Sequence, residues 1–66
     1  MKKHFINLSI IIPVYNEENT LLDVLKNLQK LNNFCNLEVI VVNDGSTDKT
    51  SKIIEDNKEL FTKSIN

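Results

Sequence analysis

A chain of sixty-six residues makes at most one small domain, and such a chain buries only about 60% of its unfolded surface. An apolar fraction of 41% beside 26% charged residues is that of a folded protein, not a disordered one. Eight Lys against nine Asp or Glu, interspersed along the chain, leave a net charge of -1 and no basic patch, which argues against nucleic acid or an anionic membrane as the main partner.

Met1-Lys2-Lys3-His4 followed by an apolar run to Val14 has the outline of a signal peptide. Asn7 and Ser9 interrupt that run, and no small-x-small cleavage site follows. The stretch therefore reads as the first strand of a cytosolic chain, and its apolar run is too short to span a bilayer. In that setting the Asn7-Leu8-Ser9 glycosylation pattern is a chance match. His4 is the sole imidazole and reads as solvated, so no zinc cluster and no Ser-His or Cys-His pair can be assembled.

Phe5 to Val14 is continuously apolar after Ser9, the pattern of a parallel strand covered on both faces. Pro13 has no N–H to donate, so regular pairing is expected to end near it. Thr20-Leu21-Leu22-Asp23 fits a capping box, with Glu17 or Asn19 as an earlier start. Leu21, Val24, Leu25, Leu28 and Leu31 then recur at three and four, predicting an amphipathic helix of three to four turns. Asn32 to Asn36 is the return loop, with Phe34 expected to anchor it on the sheet edge and Cys35 half-buried. The lone cysteine rules out an internal disulfide.

Leu37 to Asn43 is the second strand, and a strand, helix and strand of these lengths predict a right-handed βαβ unit. The strand empties into Asn43-Asp44-Gly45-Ser46-Thr47-Asp48, where the single glycine sits at a position wanting positive φ. Ser46 or Thr47 is placed to cap the next helix, with Asp48 in its first turn. That helix runs through Lys52 to Glu55 toward Leu60 and Phe61, with Asn57 weakening its middle. The expected fold is thus α/β, a partial Rossmann-like βαβα unit with two parallel strands.

Two strand ends followed by polar turns place ligand-binding groups where open α/β sheets hold their ligands. Asp44 can accept hydrogen bonds from an N–H-rich edge such as a pyrimidine N3, or it can cap its own turn through Ser46 or Thr47. Tyr15 can lie flat against a base, or it can cap the core with its hydroxyl in water. Asn16 and Glu17 are placed to hold the turn by side-chain-to-backbone bonds, and Glu18 starts the helix at the surface. The segment from Asn43 to Asp48 lacks the acidic rhythm of a calcium loop and the Gly and Lys spacing of a phosphate loop. Two strands and two helices leave edges and apolar faces uncovered, so residues 1–66 read as the N-terminal portion of a larger domain.

The two segments SIIIPVYNEENTL (residues 9–21) and LEVIVVNDGSTDKT (residues 37–50) closely resemble the N-terminal part of family 2 glycosyltransferases. These are inverting GT-A-fold enzymes that take nucleotide-diphosphate sugars, and the resemblance extends to about Ile54. It implies that Pro13, Val14 and Tyr15 line the nucleotide base, with Tyr15 against its face. It also implies that Asp44 bonds the base, usually uracil, that Glu17 shapes the pocket, and that Gly45 and Ser46 form the turn beyond. The family commonly carries two aspartates before the glycine, whereas this chain has Asn43 and then Asp44. The family's metal-binding Asp-x-Asp and its catalytic base would come after Asn66. The resemblance therefore implies no cofactor held by this chain and no catalytic residue in it. A divalent metal, Mg or Mn, belongs to a complete enzyme only.

The same resemblance implies a cytoplasmic setting, at the inner face of the membrane, in relatives that are often membrane-associated and make cell-envelope polysaccharide. The chain alone is expected to transfer no sugar and to bind the nucleotide-diphosphate sugar weakly or not at all. The alternative is a small non-catalytic nucleotide-binding or regulatory module, completed by a partner chain, which requires a cooperatively folded chain with a nucleotide-dependent thermal shift. A nucleotidyltransferase is disfavoured because no glycine follows the first strand.

Overall fold

The computed structural model describes residues 6–66, so the solvated His4 and a strand start at Phe5 lie outside the described residues. Strand β1 runs Asn7–Val14, helix α1 Leu21–Leu28, strand β2 Asn36–Asn43, helix α2 Thr50–Asp56 and strand β3 Lys63–Ile65. Turns of 3-10 helix follow the two α-helices, at Gln29–Asn33 and Lys58–Leu60. The sheet order is β1-β2-β3, and both pairings are parallel. This is an α/β arrangement consistent with a Rossmann-like fold.

The third strand corrects the expectation of two. Lys63-Ser64-Ile65 carries no apolar run, so nothing local announces it. It forms because β2 has a free edge. Thr62 opens the pairing, its N–H donating to the Val39 carbonyl at 2.7 Å while its Oγ1 accepts the Val39 N–H at 2.9 Å.

The core lies on one face. Alternation along β2 turns Val39, Val41 and Asn43 inward, and Val14 joins them from β1. Leu21 and Leu25 of α1 and Ile54 of α2 close over that row. In α1 the inward stripe is Leu21, Leu25 and the partly buried Leu28, whereas Val24 is 41% exposed and lies off it. The opposite sheet face is uncovered among the described residues: Ile11 is 65% and Ile65 46% exposed. The continuous apolar character of β1 suited cover on both faces, and here it receives cover on one.

Several local expectations are also corrected. Pairing continues through Pro13 to Val14, which costs no ladder bond because β1 is an edge strand. The capping box does not form: the Thr20 hydroxyl donates back to Glu17 Oε2 at 3.0 Å, and the first turn closes on the Glu17 carbonyl. Helix α1 stays regular for eight residues and then tightens into the 3-10 turn carrying Leu31. Phe34 is 72% exposed and so does not serve as the expected anchor of the loop on the sheet edge, while Cys35 is buried rather than half-buried. The Cys35 N–H and Sγ both bond the Leu31 carbonyl, which turns Cys35 inward and sends its neighbour to water. Helix α2 ends at Asp56, where Asn57 donates its Nδ2–H to the Ile53 carbonyl at 2.8 Å.

Candidate functional site

Strands β1 and β2 end in register. Val14 pairs with Asn43, so Tyr15 and Asp44 leave the same end of the sheet from adjacent strands. The Asp44 N–H donates to the Val14 carbonyl at 2.8 Å, extending the ladder by one rung. Tyr15 is 56% exposed. Asp44 is also exposed, and its carboxylate takes part in no hydrogen bond or ion pair among the described residues. The turn-capping alternative for Asp44 is therefore not adopted. Asn43 does that work, its Oδ1 accepting the Ser46 N–H at 3.1 Å.

Asn43 stands where the resembling family commonly has an aspartate. It is buried, and its Nδ2–H also donates to Ser51 Oγ at 2.8 Å, so both ends of the amide are used to brace the turn against α2. Gly45 has φ +71°, and a Cβ built on it would meet nothing within 4 Å. The glycine is thus required by backbone conformation and not by close packing.

The other expected site residues fall in different places. Pro13 is exposed at the edge of β1, whereas the Val14 side chain is sealed in the core, leaving only its backbone at the strand end. Glu17 is exposed, with its carboxylate turned to Thr20. Ser46 uses its Oγ to accept the Asn16 N–H at 3.0 Å. A hollow of about 340 Å³ lies on the β3 side of the Asp44–Gly45 turn, lined by Asn43, Gly45, Ser51, Glu55 and Ser64 among others. Tyr15 and Asp44 do not line it.

The two loops are joined by side-chain bonds that sequence reasoning placed within one turn, not between two. Asn16 has φ 49°, in the left-handed region that asparagine tolerates better than most residues. Its Oδ1 accepts the N–H groups of Thr47 at 2.7 Å and Asp48 at 3.3 Å. Glu17 N–H donates to Thr50 Oγ1 at 2.8 Å, and Glu18 N–H to Asp48 Oδ2 at 3.3 Å. In return Glu18 Oε1 accepts the Lys49 N–H at 3.3 Å. Thr50 is fully buried and was missed; its spacing of four from Ile54 places it on the inward stripe of α2 and was the available signal.

The cap expected from Ser46 or Thr47 does not form: Lys49 is the N-cap of α2 and makes no side-chain cap bond, while Asp48 just before it accepts the N–H of Thr50, the first residue of the helix, on Oδ1 at 2.8 Å. Desolvation pushes the Asp48 carboxyl upward, but hydrogen bonding to Thr50 and Glu18 outweighs it and holds the group below its ordinary value of 3.8. Among the described residues no three His, Cys, Asp or Glu side chains converge as a metal site. One free carboxylate is a poor ligand set for a hard divalent cation, so these residues do not fit the family's metal. No helix among the described residues is long and apolar enough to cross a membrane.

With this geometry in place, the comparisons agree on a class. The profile described as Glycosyl transferase family 2 matches residues 9–65, and the chain belongs to that family. An uncharacterized protein of Methanocaldococcus jannaschii is 52% identical over 46 residues, covering 70% of this chain and 18% of that protein. The UDP-N-acetylglucosamine–dolichyl-phosphate N-acetylglucosaminyltransferase of Methanococcus voltae is 47% identical over 47 residues, covering 71% of this chain and 18% of its own. The human dolichyl-phosphate beta-glucosyltransferase is 45% identical over 53 residues, covering 70% of this chain and 16% of its own. The chain thus spans less than a fifth of the length of these relatives. No solved structure matches it.

Proposed function

We propose that residues 9–65 form the donor-nucleotide half-site of an inverting, GT-A-type glycosyltransferase that uses a uridine-diphosphate sugar. Tyr15 lies against the face of the base, and the Asp44 carboxylate accepts the N3–H of uracil. Pro13, the Val14 backbone, Glu17, Gly45 and Ser46 complete the rim. The observation that carries this reading is the registered end of β1 and β2, which brings out side by side an exposed ring and a carboxylate with no partner among the described residues. A carboxylate left free at a strand end is available to a ligand donor, and a charge-assisted bond of that kind is stronger than a neutral one. The Methanococcus voltae relative is named for a UDP-linked donor, which supports uracil as the base.

In the full reaction an acceptor hydroxyl attacks the anomeric carbon and the nucleoside diphosphate leaves. Residues 6–66 contribute donor binding to that step; the general base and the metal ligands lie elsewhere in such an enzyme. Binding by this half-site alone is weak and at the inner face of the membrane in the cell, and transfer by the chain alone is absent.

Tyr15 is the single tyrosine in a chain without tryptophan, so its emission reports the site directly. Titration with uridine diphosphate is expected to quench that emission and to shift the Asp44, Gly45 and Ser46 amide resonances in the millimolar range. A titration that moves neither signal would sink the reading.

A further inference from the structure

We propose that Asn16 is a positioning residue for the nucleotide site, acting through a clasp that locks the loop after β1 to the loop after β2. This rests on the nucleotide reading above. Asn16 sits one residue beyond Tyr15, and its partners Ser46, Thr47 and Asp48 begin two residues beyond Asp44. The Asn16 backbone N–H donates to Ser46 Oγ at 3.0 Å, its Oδ1 gathers the Thr47 and Asp48 N–H groups, and its Nδ2–H reaches Thr47 Oγ1 at 3.3 Å. Every polar group of the side chain, and the backbone N–H as well, is thus spent across the gap between the loops.

These bonds lie in the exposed part of the molecule, away from the core. Below them the rungs of β1 and β2 and the buried cluster hold the strands together independently of the Asn16 side chain. What the clasp governs is the loops around the last rung: Asp44 sits on that rung through its N–H, Tyr15 stands just past it, and the clasp closes two to four residues beyond Asp44. Its left-handed backbone is part of the device: φ 49° turns the chain sharply after Tyr15 and aims the amide at the facing loop. A ligand held by both a ring and a carboxylate gains from having their spacing set beforehand, because that spacing is then not an ordering cost of binding.

The test uses three variants of the chain, each titrated with uridine diphosphate through Tyr15 emission. Asn16→Gly keeps the left-handed backbone and deletes the amide. Asn16→Asp keeps the Oδ1 acceptor. Asn16→Ser, whose hydroxyl is too short to span the gap, is the second loss variant. Asn16→Gly and Asn16→Ser are expected to bind about tenfold more weakly, the loss of one to two neutral hydrogen bonds' worth of preorganisation. The Val39 and Val41 amide resonances stay in place in both, and the Thr47 amide exchanges faster with solvent. Asn16→Asp restores affinity to within about threefold of the parent. Equal binding by parent and both loss variants would overturn the clasp and leave the nucleotide reading standing. Loss of the Val39 and Val41 signals in both loss variants would also overturn it, since Asn16 would then serve the fold and not the site. A parent chain that gives no response, while the Thr47 amide still loses protection in Asn16→Gly, would instead overturn the nucleotide reading and with it the ligand for which the clasp is set.

Discussion

The backbone N–H of Thr47 donates to Oδ1 of Asn16 at 2.7 Å, across 31 residues of sequence. That bond ties together two loops that leave the sheet from adjacent strands, and it is the shortest of the group around Asn16. Its consequence is that the loop after β1 and the loop after β2 behave as one structure at the C-terminal edge of the sheet. The predictions below separate what that edge does from what the core beneath it does.

Tyr15→Ala is expected to weaken uridine diphosphate binding by about 1–3 kcal/mol, the value of one base–aromatic stack, while Tyr15→Phe stays close to the parent. Amide shift titration measures both, since the alanine and phenylalanine variants lack the fluorescent ring. A phenylalanine variant as weak as the alanine one would show that the hydroxyl, not the ring face, makes the contact.

Asp44→Asn removes the charge from a side chain that has no intramolecular partner among the described residues. Thermal stability should stay within about 0.5 kcal/mol of the parent, as for an isolated surface substitution, while affinity falls by about 1.5–3 kcal/mol. A melting curve and a titration on the same sample decide it. A large drop in stability with unchanged affinity would assign Asp44 to the turn.

Leu25→Ala opens a cavity under the centre of the sheet, because Leu25 is 0% exposed and packs in the cluster with Val39 and Val41. A cost of about 2–5 kcal/mol is expected, enough to unfold much of so small a domain at room temperature. Far-ultraviolet circular dichroism during urea titration measures it. A midpoint equal to that of the parent would contradict the core described here.

Gly45→Ala should destabilise by about 1 kcal/mol through backbone strain alone, since the added Cβ meets nothing and only the positive φ opposes it. Gly45→Asn, which tolerates that conformation better, should recover part of the loss. If both variants melt with the parent, the turn has another conformation in solution.

The Asp48 carboxyl is held below its ordinary value of 3.8 in the folded chain, so the folded state binds fewer protons than the unfolded state between its lowered pKa and 3.8. Its contribution is complete above 3.8 and is lost as the pH falls through the lowered value. Stability should decline over that acidic range in the parent and decline less in Asp48→Asn, as read by melting temperature against pH. An identical pH profile in both would show that the Asp48–Thr50 bond at the start of α2 does not hold in solution.

Much of this was legible along the chain. The apolar runs around Ile12 and Val41, the leucines at spacing four in α1, and the glycine after Asp44 each answer to a neighbour within a few residues, where periodicity and backbone preference are decisive. The segments around Tyr15 and Asp44 also sufficed to point to the family. Local pattern did not reveal β3, whose three residues become a strand only because Thr62 meets the open edge of β2. It misplaced Phe34 and Cys35 as well, because which of two adjacent apolar residues turns inward depends on the Leu31 carbonyl that ties Cys35 back.

By itself the amino-acid order determined β1, β2, the two helices and the residues that stand at the strand ends, since these follow from periodicity, and the parallel pairing of β1 with β2, since a strand, helix and strand of these lengths form a right-handed crossover. Only the tertiary structure decided that Asn43 braces its turn, that Asp48 holds the Thr50 N–H at the start of α2 and that Asn16 joins the two loops. Those assignments are choices among several nearby polar groups with equal local claim. The joining of the loops by Asn16 is settled by the registered pairing of Val14 with Asn43, which brings the two loops out from adjacent strands at one end of the sheet.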